Sequence, residues 1–234
     1  FKHLQYRLKT RLTKISFLFG IILFFVSCNS TKRVAEDEFL LTENTIDTGV
    51  DSINANTLKP FLSLKPNSKF LFGIPLKLYI YNWGKPKPDS LFVDWLNKNP
   101  NRQKRWTNFL SERQLKNLGE FYVGIHEGRR KNGESPSIIT DKKLEQSKEK
   151  LKSWYWNRGW FDAEVNYDIR RDTLNQKAKV NYKITPNPPY IIDSISYSIA
   201  SPVADSIYNT IKSKALIKEK QQFNAQNFEG ERLR

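Results

Sequence analysis

Between Asp141 and Thr185 the hydrophobic period of the chain switches from about 3.6 residues to 2, and this switch restricts the fold more tightly than any other feature. The first part predicts a helix. Leu144, Leu151, Trp154 and Tyr155 share one face, while Lys142, Lys143, Glu145, Glu149, Lys150 and Lys152 fill the solvent side. Thr140 or Asp141 can cap its start, and Gly159 suits the left-handed position past its end. Strict alternation follows: Phe161, Ala163, Val165, Tyr167 and Ile169 on one side, Asp162, Glu164, Asn166, Asp168 and Arg170 on the other, the pattern of a half-buried strand. After a polar turn through Asp172 and Asn175, Ala178, Val180, Tyr182 and Ile184 alternate with Lys177, Lys179, Asn181 and Lys183. The local unit is therefore a helix packed on an antiparallel ribbon whose other face stays wet. So small a ribbon is marginal alone and needs further elements.

Residues 1–27 carry Lys2, Arg7, Lys9, Arg11 and Lys14 and no acid, then an apolar run from Ile15 to Val26. This is the layout of a secretory signal peptide, with an apolar run short for a bilayer span. Phe25-Val26-Ser27-Cys28 resembles a bacterial lipobox, with Phe25 in place of the usual leucine. The resemblance implies cleavage before Cys28 and acylation of its thiol and new amino group. A signal anchor, or an ordinary cleavage site with a coincidental cysteine, is the other reading of these residues. Cys28 is the only cysteine, so no intrachain disulfide is possible. Loss of the five basic side chains of 1–27 lowers the formal charge from +15 to +10. That surplus suits nucleic acid, anionic head groups or acidic partners, and for an exported chain nucleic acid fits least. Arg102, Lys104, Arg105, Arg113, Lys116, Arg129 and Arg130 are interrupted by Glu112, Glu120 and Glu127, which favours a mixed solvated surface over an anion site.

Asn29 to Asp37 reads as a short polar tether, and Phe39 to Ile46 as a strand ending at Asp47-Thr48-Gly49. Asn54–Leu64 predicts a helix with Leu58, Phe61 and Leu62 inward and Pro60 in its first turn or at a bend. Residues 69–137 read as mainly helical or irregular: Phe92, Trp95 and Leu96 have helical spacing, as do Trp106, Phe109 and Leu110 before Leu115 and Leu118. Aromatics among basic residues could stack bases or sugars, but core packing is the commoner use. Pro186-Asn187-Pro188-Pro189 forbids helix and marks a module boundary. Beyond it, Ile191, Ile195, Tyr197 and Ile199 predict a strand. Ser201-Pro202 opens a short helix carrying Val203, Ile207 and Ile211, and Phe223 to Arg234 begins another with Phe228 and Leu233 apolar.

Catalysis finds little support. His126 is the only histidine beyond residue 27, and beside Glu127-Gly128 it reads as a loop residue rather than a base. Asp162, Glu164 and Asp168 fall on the wet side of an alternating strand. No metal site, cofactor or phosphate loop is expected.

The order strand, helix, then helix, strand, strand occurs once with an insertion and begins again after the proline joint, so repetition is the organising clue. That order resembles the POTRA (polypeptide-transport-associated) domains, and Asn157-Arg158-Gly159-Trp160-Phe161-Asp162-Ala163-Glu164-Val165 looks like their helix-to-strand junction. The wider set resembles TamL-like lipoproteins of the BamA/TamA outer-membrane family: Cys28 with Thr31-Lys32, Glu38-Phe39-Leu40-Leu41, Leu64-Lys65-Pro66-Asn67-Ser68-Lys69, Leu78-Tyr79 and Gly133-Glu134-Ser135-Pro136. The resemblance implies an α+β chain of tandem β-α-α-β-β modules. It gives a signal peptide at 1–27, a lipid-anchored tether at 28–37, a first module at 38–186 with an insertion at about 66–137, and an incomplete second module at 187–234. It further implies a non-enzymatic periplasmic arm at the outer membrane, with a downstream β-barrel, unfolded outer-membrane protein clients and an inner-membrane or periplasmic partner subunit. Such modules recruit chains by strand addition to a sheet edge. The edge expected here is Phe161, Ala163, Val165, Tyr167 and Ile169, unless the insertion covers it. The alternative is a stand-alone lipoprotein that binds carbohydrate or another ligand through the aromatic insertion.

Overall fold

The computed structural model of the protein describes residues 29–233, so Cys28 and the expected signal peptide lie outside the described residues. In chain order the elements are β1 (Leu40–Asp47), α1 (Ala55–Leu58), α2 (Leu76–Trp83), α3 (Pro88–Asn97), α4 (Pro100–Phe109), α5 (Glu112–Asn132), α6 (Asp141–Trp156), β2 (Glu164–Asp172), β3 (Lys177–Thr185), α7 (Pro202–Ile211) and α8 (Ala225–Arg232). They form two compact units. One joins Leu41–Pro66 to Ile138–Arg234 and holds the sheet; the other is centred on Asn67–Ser137 and is helical.

In the sheet unit, Leu144, Ser147, Leu151 and Tyr155 lie three or four residues apart on α6 and are all fully buried. They cover the face of β3 that carries Ala178, Val180, Tyr182 and Ile184. The strand order is β1-β3-β2, which makes β3 central. β2 and β3 are antiparallel, from Glu164 opposite Thr185 to Asp172 opposite Lys177. Against β1, Thr42 donates to the Ala178 carbonyl, Glu43 pairs with Lys179 at 2.7 Å and Thr45 donates to Asn181. These partners advance together along both strands, so β1 runs parallel to β3. Ser147 ties α6 inward: it accepts from the Ser63 amide at 3.0 Å and donates to the Lys143 carbonyl at 2.8 Å.

Several expectations change. The helix expected over Asn54–Leu64 is a single α-turn, α1, continued by a 3-10 turn at Lys59–Phe61 that places Pro60 inside it. Its short length turns Phe61 outward while Leu58 and Leu62 stay buried. The strand β2 begins at Glu164, so Phe161 lies in the turn before it and not on its core face. The stretch Ile191–Ile199 forms no strand. Ile191 makes one isolated bridge to Gln222, and among the described residues no strand lies beside 193–199 to accept a ladder. The expected tether is also folded: Thr31 is buried, Asn82 donates to the carbonyls of Asn29 and Ser30, and Arg33 donates to the Gly84 carbonyl.

Local signals account for the helical unit. Pro88 and Pro100 occupy first-turn positions, Asn99 accepts from the Asn101 amide, and Ser111 with Gln114 forms a full capping box at the start of α5. Rings run in an unbroken seam from Trp106 through Trp95, Phe92 and Tyr122 to His126, with centroid separations of 5.9, 5.8, 5.6 and 4.5 Å. Arg102 lies over Trp95 and Lys85 over Tyr122. Four of the aromatics of this region, Phe92, Trp95, Trp106 and Tyr122, therefore pack on each other, while Phe70, Phe72, Phe109 and Phe121 are exposed. Phe109, at helical spacing from Trp106, is exposed at the end of α4. His126 is no loop residue: it is buried within α5, and its Nδ1 accepts from the Lys85 amide at 3.3 Å.

Two predictions follow from these cores. Leu151→Ala should lower stability by about 2–5 kcal/mol through the cavity it leaves. Tyr182→Phe should stay within about 1 kcal/mol of neutral, because the hydroxyl is buried beside Ser147 without a well-formed hydrogen bond. Urea unfolding of both variants checks the contrast.

Burial, Arg129 and Lys85 hold the His126 pKa below its ordinary 6.5. The unfolded chain then takes up the proton first as pH falls, so this contribution is full above the unfolded value and is lost below 6.5 toward the folded one. The melting temperature should fall as pH drops through and below 6.5, and His126→Gln should flatten that part of the profile.

Candidate functional site

The open side of β2 is the candidate site. β3 pairs with one side of it, and among the described residues no strand pairs with the other. In an antiparallel strand alternate residues turn both N–H and C=O outward, so about four or five of its nine residues offer main-chain groups there. Of the expected edge residues, Val165 is buried in the core, and Tyr167 and Ile169 are half-buried against it. Ala163 is buried just before the strand starts. Tyr167 donates its hydroxyl to Glu145 of α6 at 3.0 Å, and Glu145 pairs with Lys148 at 3.3 Å. Burial first, and Glu145 second, raise the pKa of Tyr167, which stays a neutral donor. The structure thus brings Val165, Tyr167 and Ile169 together along α6 and leaves Phe161 elsewhere.

Phe161 belongs to the joint that follows. The end of α6 closes with a Schellman pattern: Gly159 N–H donates to the Trp156 carbonyl at 3.0 Å and Trp160 N–H to Tyr155 at 3.2 Å. Gly159 takes φ +86, and the Tyr155 and Trp160 rings meet at 5.5 Å. Three successive carbonyls beyond the helix then accept from the downstream chain: Asn157 from Ala225 N, Arg158 from Gln222 Nε2 and Gly159 from Tyr190 N, at 2.8, 2.7 and 2.7 Å. Phe161 contacts Trp156, Tyr190 and Phe223 by its ring. Within this unit the chain after the proline run is stitched to the helix end, while the main core holds no residue beyond Ile184. Sequence reasoning missed this joint. Its signal was the aromatics Trp156, Phe161, Tyr190 and Phe223 on either side of the prolines.

What the open side of β2 offers is main-chain pairing. Among the described residues no group of three or more His, Cys, Asp or Glu side chains is placed to hold a metal. His126 sits in the seam of the helical unit, with Nδ1 already engaged. On β2 the Asp168–Arg170 pair at 3.9 Å is exposed and contributes little.

Residues 107–187 match the family model described as "POTRA: Surface antigen variable number repeat". The match covers about a third of the chain, and this stretch is similar to POTRA domains. It contains α6, β2 and β3, whereas β1 lies outside the matched range. No curated protein matches the chain. Among solved structures it is similar to the crystal structure of Haemophilus influenzae BamA POTRA3-5, at 13% identity over 86% of this chain and 87% of that one, with a TM-score of 0.27.

In the matched stretch Gly159 is constrained on two counts: a Cβ there would be strained by the left-handed backbone and would meet the Phe223 carbonyl oxygen at 2.8 Å. Gly159→Ala should cost roughly 1–3 kcal/mol and speed exchange of the Tyr190 amide, measured by urea unfolding and native-state hydrogen exchange.

Proposed function

We propose that this chain is a periplasmic POTRA arm of a BamA/TamA-type outer-membrane assembly factor, acylated at Cys28. Its first module at 38–186 receives unfolded outer-membrane proteins by strand addition to β2, and 187–234 begins a second module. A downstream barrel carries the insertion step, and a periplasmic or inner-membrane subunit is the other partner. The observation that carries this reading is a POTRA sheet in which β2 is paired on one side only.

Energetics favour a tolerant receiver. Each main-chain hydrogen bond contributes about 0.5–1.5 kcal/mol net, while fixing each incoming residue costs about 1–2 kcal/mol. Backbone pairing alone therefore comes close to balance, and side chains decide the outcome. Tyr167 and Ile169 are half-buried at the rim of the core, so an added strand with apolar residues at alternate positions would cover them. Strands of outer-membrane barrels carry that alternation. Against a carbohydrate platform in the insertion, four of its rings, Phe92, Trp95, Trp106 and Tyr122, are engaged with one another in the seam.

Photo-crosslinkers at Asn166 and Asp168 of β2 should capture an unfolded barrel protein more often than crosslinkers at Glu43 and Thr45 of β1. Val165→Pro should reduce capture at β2 at least several-fold, with folding checked by circular dichroism. Equal capture at both edges, or unchanged capture by a folded Val165→Pro chain, would remove strand addition at β2.

A further inference from the structure

We propose a second membrane contact: the turn Phe70–Pro75 inserts Phe70, Leu71 and Phe72 into the boundary between head groups and acyl chains of a bilayer rich in anionic phospholipid. The three side chains are consecutive and stand out at 64%, 64% and 96% exposure. Phe72 holds φ 60, ψ 22, a left-handed conformation bulky residues rarely adopt, and Gly73 follows at φ +75. Strain that keeps an aromatic ring in water is unusual in a soluble surface, and it is where a ligand contact is expected.

The turn is also closed on itself. Phe70 N–H donates to the Ile74 carbonyl at 2.8 Å, Gly73 N–H to Phe70 at 3.0 Å and Ile74 N–H to Leu71 at 3.4 Å. Much of the backbone polarity at the tip is therefore satisfied internally, which lowers the cost of leaving water. Residues 69–88 contain Lys69, Lys77, Lys85 and Lys87 and no acid, and Lys69 and Lys77 are exposed. Glu134 is held by the Ser68 amide and hydroxyl at 2.9 and 2.5 Å. The following helix α2 carries Tyr79, Tyr81 and Trp83, residue types that sit at membrane interfaces.

These features select a bilayer over a protein partner. The tip is exposed, its three side chains bear no polar atom to fix a register, and beside it Lys69 and Lys77 outnumber Glu134, which Ser68 engages. A protein pocket would need complementary depth and register, and a second copy would set lysines against lysines. A bilayer with anionic head groups asks only for an apolar wedge and a basic collar. No helix among the described residues is long and apolar enough to cross a membrane, so the contact is superficial. It needs neither strand addition at β2 nor acylation of Cys28.

The test places an environment-sensitive nitrobenzoxadiazole probe at Phe72→Cys in the full chain carrying Cys28→Ala, with Leu174→Cys on the β2–β3 turn, 95% exposed, as the control site. With vesicles of phosphatidylethanolamine and phosphatidylglycerol in equal parts, the probe at 72 should shift to the blue and brighten, and the probe at 174 should not. Lys69→Ala and Lys77→Ala should each weaken the vesicle dependence about fivefold. A probe at 72 that stays water-exposed on vesicle-bound chain would overturn the proposal. So would equal shifts at both sites, or a shift without vesicles that grows with protein concentration and marks self-association.

Discussion

The central strand β3 must have its apolar face covered, and α6 is what covers it. Ala178, Val180, Tyr182 and Ile184 are all buried, and so are Leu144, Leu151 and Tyr155 across from them. A two-stranded ribbon cannot hide such a face by itself. Once α6 is laid on it, the other parts of the unit have fixed places. β1 joins the free side of β3, Ser147 holds the chain at Ser63, and the Tyr155 hydroxyl reaches the Thr48 carbonyl at 2.7 Å. The turn after β1 is equally tight, because Gly49 at φ +65 lies against the Ile184 carbonyl and the Pro186 ring, where no side chain fits.

This dependence explains what could be read from the residues. The helix and hairpin were legible because their periods are set by burial on one side only, and Leu144, Leu151, Val180 and Tyr182 behave as their spacing requires. Phe161 was misread because its parity matches β2 while its neighbours are aromatics far along the chain, and alternation carries no information about those. Ile191–Ile199 has strand composition, yet a strand exists only beside another, and pairing is not a local property. His126 was misread for a similar reason: Glu127 and Gly128 look like loop chemistry, while the capping box at Ser111 and Gln114 carries α5 through them. The ring seam was legible as composition but not as geometry, since its members come from α3, α4 and α5.

The joint at Pro186–Pro189 shows how a boundary in sequence can be firm in structure. Prolines keep helix from running through, and Asn187 takes φ 57 while donating to the Asp162 carbonyl at 2.7 Å. The carbonyls left unpaired at a helix end are then closed by the next segment instead of by water. The segment after the prolines is thereby fastened to the end of α6 without contributing a residue to the main core. Such a joint restrains the following segment, whereas a flexible linker would leave it to drift.

An open strand edge is also a hazard, since it invites pairing between copies. The wet face of β2 carries Glu164, Asp168 and Arg170, and its end adds Arg171 and Asp172, so both signs of charge occur along the rim. Two identical edges approaching antiparallel would meet some like charges and few apolar contacts on that face. The opposite face offers Tyr167 and Ile169 half-covered beside α6. A strand with one polar and one apolar side satisfies both conditions, and a uniformly apolar or uniformly charged strand satisfies one. Discrimination at such an edge rests on the alternation of the incoming chain rather than on its particular sequence, which suits the reception of barrel strands proposed above.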